Sequence, residues 1–248
     1  MRSRYASSSN FASSFGPGPL TPGIRALIIA NVAMFVIGMI VPEVTLRLAL
    51  VPAGIIEDRT VWQLVSYMFL HAGIFHILFN MLTLWMFGVE LERRWGTRFF
   101  LKYYFIVGIG AGLTQVLASL VPVAPLEAIY FMRTIGASGA IYGLLLAYAL
   151  YFPERQIYMY MVFPIPAKYF VMIMGAISLL SAIEGPTGVA YLTHLGGLVV
   201  GYLYLKGGRM TLIGELKYRA ARWRINRTRR KFDVYSGGRS GAGDRRIH

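Results

Sequence analysis

Residues 61–89, VWQLVSYMFLHAGIFHILFNMLTLWMFGV, run for 29 positions without a charged side chain. A helix needs about 20 apolar residues to cross a hydrocarbon core, so this run is too long for one span and too apolar for a surface helix. Gly73 offers a division, with Trp62 to His71 as an outer loop half-sunk in the interface and His76 to Val89 as the span. Five more uncharged or nearly uncharged runs flank it: Ala26 to Pro42, Tyr103 to Leu126, Thr134 to Pro153, Tyr169 to Ile183 and Gly185 to Leu205. The expected fold is an all-α membrane protein with six transmembrane helices.

Composition supports that class. Residues of the AVILMFWYC set make up 56% of the 248 residues and charged residues 15%, against roughly 45–50% and about 25% in ordinary globular domains. The formal net charge of +14 could suggest a nucleic-acid partner, but the excess is localised. Residues 1–205 carry 12 Lys/Arg against 8 Asp/Glu, and residues 206–248 carry 13 against 3. No nucleic-acid-binding fold accompanies the charge, so no nucleic-acid partner is expected. With no cysteine, disulfides, thiolate metal ligands and a cysteine nucleophile are excluded. No cofactor or metal is expected.

Three segments follow. Residues 1–23, with Ser7-Ser8-Ser9 and Gly16-Pro17-Gly18-Pro19, are too polar to pack a core and read as a flexible cytoplasmic lead-in. Residues 24–205 hold the six spans. Residues 206–248 form a basic tail, in which Leu212, Leu216, Ala220 and Trp223 share a helical stripe among Lys217, Arg219, Arg222 and Arg224. That pattern suits a helix lying on anionic lipid, and equally a solvated tail that fixes topology. Arg2, Arg4, Arg25, Arg93, Arg94, Arg98, Lys102, Arg155, Lys168 and the tail fall on one side of the bundle, against Arg47, Arg59 and Arg133 on the other. The positive-inside rule then puts both termini in the cytoplasm and loops 42–75, 121–137 and 183–189 outside.

Polar side chains within spans are costly and mark functional sites. His71, His76 and Asn80 lie near the outer end of span two, Ser138 near that of span four and His194 in the outer half of span six, all at similar depth. Each alone has a plainer reading, as a hydrogen-bonded core histidine or a packing serine. Gly139 and Gly143 form a small-residue face after Ser138, and Gly197 and Gly201 another after His194. If these faces meet, the imidazole reaches Oγ as a general base reaches a nucleophile; alternatively each face packs elsewhere. Gly136-Ala137-Ser138-Gly139 opens a helix, so an oxyanion formed by attack from Ser138 would meet the Ser138 N–H. His76 and Asn80, one turn apart, can add donors at that spot. Tyr142, one turn below Ser138, can pack on His194. No Asp lies inside a span, which leaves a Ser–His dyad without a third member.

From about Trp62 to Leu205 these residues resemble the rhomboid family of intramembrane serine proteases. Four blocks carry the resemblance: His76-Ile77-Leu78-Phe79-Asn80, Glu90-Leu91-Glu92-Arg93-Arg94-Trp95-Gly96, Gly136-Ala137-Ser138-Gly139 with Tyr142, and His194-Leu195-Gly196-Gly197 with Gly201. It implies a six-helix rhomboid bundle, Ser138 as nucleophile, His194 as general base and acid, and His76, Asn80 and the Ser138 N–H as the oxyanion site. Tyr142, Gly136, Gly139, Gly143, Gly197 and Gly201 support them. It further implies substrates that are transmembrane segments cut near their outer ends, a water-admitting outer cavity, and span five as the lateral gate. Two residues depart from the family pattern: Gln63 stands after Trp62 where some members have Arg, and Thr193 precedes His194 where Ala is common.

Two other functions compete with proteolysis. A rhomboid-like pseudoprotease would bind membrane proteins without cutting them, yet both Ser138 and His194 are present. A transporter would extend polar residues through the bilayer, yet the inner halves of spans two, four and six are almost wholly apolar. Six spans fit a bacterial inner membrane better than an organelle.

Overall fold

A computed structural model describes residues 16–123, 126, 128–159, 163–183 and 191–209. The basic tail beyond Arg209, the lead-in before Gly16 and residues 184–190, within the loop expected at 183–189, lie outside these described residues. The chain divides into a unit of residues 1–205 and a second of residues 206–248. All of the candidate site lies in the first.

Each apolar run contains a helix. Helix α1 covers Pro22–Ile40, and two short helices, α2 (Pro42–Leu48) and α3 (Pro52–Glu57), follow it. A four-residue turn, α4 (Gln63–Ser66), and a tighter turn at Tyr67–Phe69 lead to α5 (Ile74–Trp95). Then come α6 (Thr97–Ala118), α7 (Ser138–Tyr151), α8 (Ala167–Ile183) and α9 (Tyr191–Arg209). Among the described residues α1, α5 and α6 are long and apolar enough to cross a membrane, and Ser138–Tyr151 and Ala167–Ser181 are shorter apolar helices. The division at Gly73 holds, since α5 begins immediately after it.

The all-α expectation is corrected in one place. Between α7 and α8, strands β1 (Gln156–Met159) and β2 (Phe163–Pro166) pair antiparallel, with Ile157 opposite Ile165. β2 carries Pro164 and Pro166, and proline cannot donate to a ladder. Successive N–H groups along a strand point to opposite edges, so prolines two apart remove donors from one edge only, and a two-stranded ribbon leaves that edge unpaired. The Ala167 N–H donates to the Arg155 carbonyl at 2.9 Å and closes the hairpin.

Buried polar groups fasten the helices. Glu92, 2% exposed, accepts hydrogen bonds from the Gly23 N–H (2.8 Å), the Ile24 N–H (2.9 Å), the Thr97 hydroxyl (2.6 Å) and the Thr21 hydroxyl. A carboxylate from α5 thereby caps the positive end of α1, where first-turn N–H groups lack helical partners. Residues just before α1 also lie on α5: the Trp85 indole donates to the Gly18 carbonyl at 3.0 Å, and Arg93 donates to the carbonyls of Pro17 and Pro19. In the segment between α1 and α5 the buried Gln63 accepts the Val51 N–H at 3.0 Å and donates to the Arg47 carbonyl at 3.3 Å. Here a neutral amide provides one donor and one acceptor where an arginine could only donate.

The glycine faces of α7 and α9 do meet. A Cβ on Gly197 would overlap the Gly139 carbonyl oxygen, and one on Gly201 would stand 3.1 Å from the Gly143 Cα and 2.6 Å from the Tyr103 hydroxyl. That hydroxyl donates to the Gly143 carbonyl at 2.8 Å, tying α6 to the crossing. Gly197→Ala must push two backbones apart, so it is expected to destabilise the fold by about 1–3 kcal/mol. Thermal unfolding in detergent should show a lower midpoint for Gly197→Ala and little change for Gly207→Ala, whose site is open.

Candidate active site

The loop before Ser138 is fixed before the helix begins. Leu50 and Thr134 exchange two backbone bonds, at 3.0 and 2.9 Å, and the Gly136 N–H donates to the Tyr67 carbonyl at 2.9 Å. Tyr67 is itself anchored, its hydroxyl donating to the Gly108 carbonyl at 2.7 Å. Gly136 adopts φ +127, a conformation that side chains rarely tolerate. A Cβ there would also lie 2.9 Å from His76 Nε2. Only glycine satisfies both conditions, which explains its place two residues before Ser138.

Ser138 is the first residue of α7, and the Ile141 N–H donates to the Ala137 carbonyl at 3.0 Å. The N–H groups of Ser138, Gly139 and Ala140 therefore precede the first helical bond, at the positive end of the dipole. Across the glycine contact, His194 Nε2 lies 2.7 Å from Ser138 Oγ, and both residues are half-buried. The Tyr142 ring stacks on the imidazole with centroids 4.2 Å apart and planes 7° apart. His194 Nδ1 is buried without a hydrogen-bond partner among the described residues.

The oxyanion candidates divide. His76 Nδ1 accepts the Ala72 N–H at 3.2 Å, which leaves the ring proton on Nε2, the nitrogen facing Gly136. Asn80 is buried, and one of its two amide protons goes to the His76 carbonyl of its own helix at 2.8 Å. His71 lies behind this pair, its ring edge-on to His76 with centroids 4.9 Å apart. It is 8% exposed, and its ring nitrogens are buried.

Several participants are not among the residues that the sequence reading selected. Ser178 of α8 is fully buried and donates to the Tyr142 hydroxyl at 3.1 Å. Gln115 of α6 accepts from the hydroxyls of Thr134 (2.8 Å) and Thr193 (2.7 Å). Gln115 was legible by the same rule that selected His76, as the most polar side chain in the Tyr103 to Leu126 run. Ser178 carried no such signal, since a lone serine in a span usually bonds its own helix.

Comparison with known proteins gives this geometry a family. Residues 58–209 match the model of the rhomboid domain. RHOMBOID-like protein 2 of Arabidopsis thaliana is 28% identical over 183 residues, 73% of this chain and 52% of the relative. Rhomboid protein 1, mitochondrial, of Saccharomyces cerevisiae is 31% identical over 153 residues, 57% of this chain and 40% of the relative. Rhomboid protease AarA of Providencia stuartii is 29% identical over 153 residues, covering 57% of this chain and 54% of the relative. The chain belongs to the rhomboid family, a family of membrane proteins that includes intramembrane proteases. It spans about half the length of the curated relatives it matches.

Burial, with the neighbouring His76 adding to it, pushes the His71 imidazole down to about 4. The unfolded chain takes up that proton near pH 6.5, so each pH unit lost between about 6.5 and 4 favours unfolding, and the loss levels off below 4. Stability measured against pH should fall more steeply across this window in the wild type than in His71→Gln.

Proposed function

We propose that this chain is an active intramembrane serine endopeptidase that cuts transmembrane segments of other membrane proteins near their outer ends. The observation that carries the reading is the 2.7 Å approach of His194 Nε2 to Ser138 Oγ at a helix start. With its own proton on Nδ1, His194 takes the Ser138 proton as Oγ bonds to the scissile carbonyl carbon. The carbonyl oxygen becomes an oxyanion facing the Ser138 N–H, the His76 Nε2–H and the second amide proton of Asn80. The imidazolium then protonates the leaving amine, the C–N bond breaks, and an acyl-Ser138 ester remains. Water, deprotonated by His194, hydrolyses that ester and restores the serine. Tyr142, flat on the ring, stabilises the imidazolium by cation–π attraction.

Six spans are part of this reading, with residues 24–205 as the protease domain and both termini on the cytoplasmic side. Helix α7, at 14 residues and 1.5 Å per residue, is about 21 Å long against a core of about 30 Å. If its lower end reaches the inner interface, Ser138 lies below the outer one. A substrate helix must then unwind to present a peptide bond there, which weak helix formers such as Gly favour. The tail, residues 206–248, acts on this reading as a basic segment at the inner surface that favours anionic lipid. A bacterial inner membrane is the proposed location.

The test is cleavage of a single-span reporter by the purified protein in detergent or vesicles. Ser138→Ala and His194→Ala should each lower the rate at least about a thousandfold. Equal cleavage by wild type and both variants would refute the assignment. Binding of the reporter without cleavage by the wild type would favour the pseudoprotease alternative.

A further inference from the structure

Glycine faces bring α7 and α9 close but carry no side chains that key one helix to the other. They fix the spacing of the backbones, and the Tyr142 ring stacked on His194 adds one contact across them. A 2.7 Å contact between Ser138 and His194 tolerates little of either, since a misplacement of about 1 Å at a catalytic pair can cost on the order of a hundredfold in rate. A tie outside the glycine faces can fix the register further.

We infer that Gln115 is the positioning residue that does so, by holding Thr134 and Thr193 on one carbonyl oxygen. This inference rests on the Ser138–His194 reading. Gln115 Oε1 accepts the Thr134 hydroxyl at 2.8 Å and the Thr193 hydroxyl at 2.7 Å, which uses both its lone pairs. Thr134 belongs to the nucleophile loop, four residues before Ser138, and its backbone is paired with Leu50. Thr193 precedes His194 directly. One atom of α6 thus ties the loop that carries the nucleophile to the helix that carries the base.

The tie is rigid because it is dry. Gln115, Thr134 and Thr193 are 4%, 6% and 1% exposed, so water cannot replace a lost partner. Thr193 is held from its other side as well, its Cγ2 standing 2.9 Å from where a Cβ on Gly139 would be. Its hydroxyl is thereby directed to α6 while its methyl rests on α7, one residue past Ser138. Alanine at position 193 would supply neither contact, so the departure from the family pattern has a specific consequence in this chain.

The experiment compares kcat and KM for reporter cleavage in wild type, Thr193→Ser, Thr193→Val, Gln115→Leu and the Thr193→Val/Gln115→Leu double variant. Melting temperatures in the same detergent exclude unfolded samples, and Thr134→Val serves as a second probe if Gln115→Leu does not fold. Thr193→Ser should retain wild-type kcat. Thr193→Val, of equal shape but without the hydroxyl, should lower kcat about tenfold or more with KM unchanged, because a misplaced dyad impairs chemistry rather than binding. The double variant should be no worse than Gln115→Leu, because Thr193 acts through Gln115. Wild-type kcat in Thr193→Val, or losses that multiply in the double variant, would overturn the bridge alone. Cleavage unaffected by Ser138→Ala in a parallel sample would instead remove the protease reading, and the bridge's role with it.

Discussion

The close crossing of α7 and α9 is the contact on which the rest of the site depends. At Gly197 the backbones approach so closely that a methyl group would collide with the Gly139 carbonyl oxygen. Within a bilayer, helices gain little from burying apolar surface against each other, because lipid tails are as apolar as leucine; close van der Waals packing takes that role. The same approach brings Ser138, next to Gly139, and His194, one turn before Gly197, within 2.7 Å of each other. Packing and site geometry are therefore one constraint, and a side chain added at the crossing disturbs both.

Around that crossing, a few polar groups act where an apolar environment makes each bond count. Glu92 joins the start of α1 to α5, Gln63 joins α4 to the stretch between α2 and α3, Tyr103 joins α6 to α7, and Gln115 joins α6 to both flanks of the site. Each pairs with a backbone group or hydroxyl rather than an opposite charge. The Glu92 carboxylate is met by four donors in place of a counter-charge, and the neutral amides and hydroxyls gain direction without the desolvation cost of a charge. Ser178 extends the pattern to α8, whose only described polar link to the stacked Tyr142–His194 pair is its bond to the Tyr142 hydroxyl.

Much of this was legible in the sequence because membranes make patterns stark. Uncharged runs located every long helix, and the polar residues at one depth singled out Ser138, His194 and His76 against an apolar background. The spacing of Gly139 with Gly143, and of Gly197 with Gly201, anticipated the crossing. What escaped was of two kinds. The hairpin at 156–166 depends on which edge of a ribbon its prolines face, and no run of residues reveals that before the partner strand is known. Gln115 stood out as a polar residue in a span and Thr193 as a departure, but the bond between them joins positions 78 apart, and Ser178 bonds outside its own helix; no local pattern shows such partners. Asn80 shows the converse, because the spacing that lets it join His76 also lets it bond back to its own helix.

The central claim is that Ser138 is made nucleophilic by His194 across the glycine crossing. Treating the detergent-solubilised protein with a fluorophosphonate and mapping the adduct by peptide mass spectrometry tests it most directly. The account predicts a single adduct on the peptide containing Ser138, absent in Ser138→Ala and strongly reduced in His194→Ala. An adduct on another residue, or labelling of Ser138 at the same rate without His194, would contradict it.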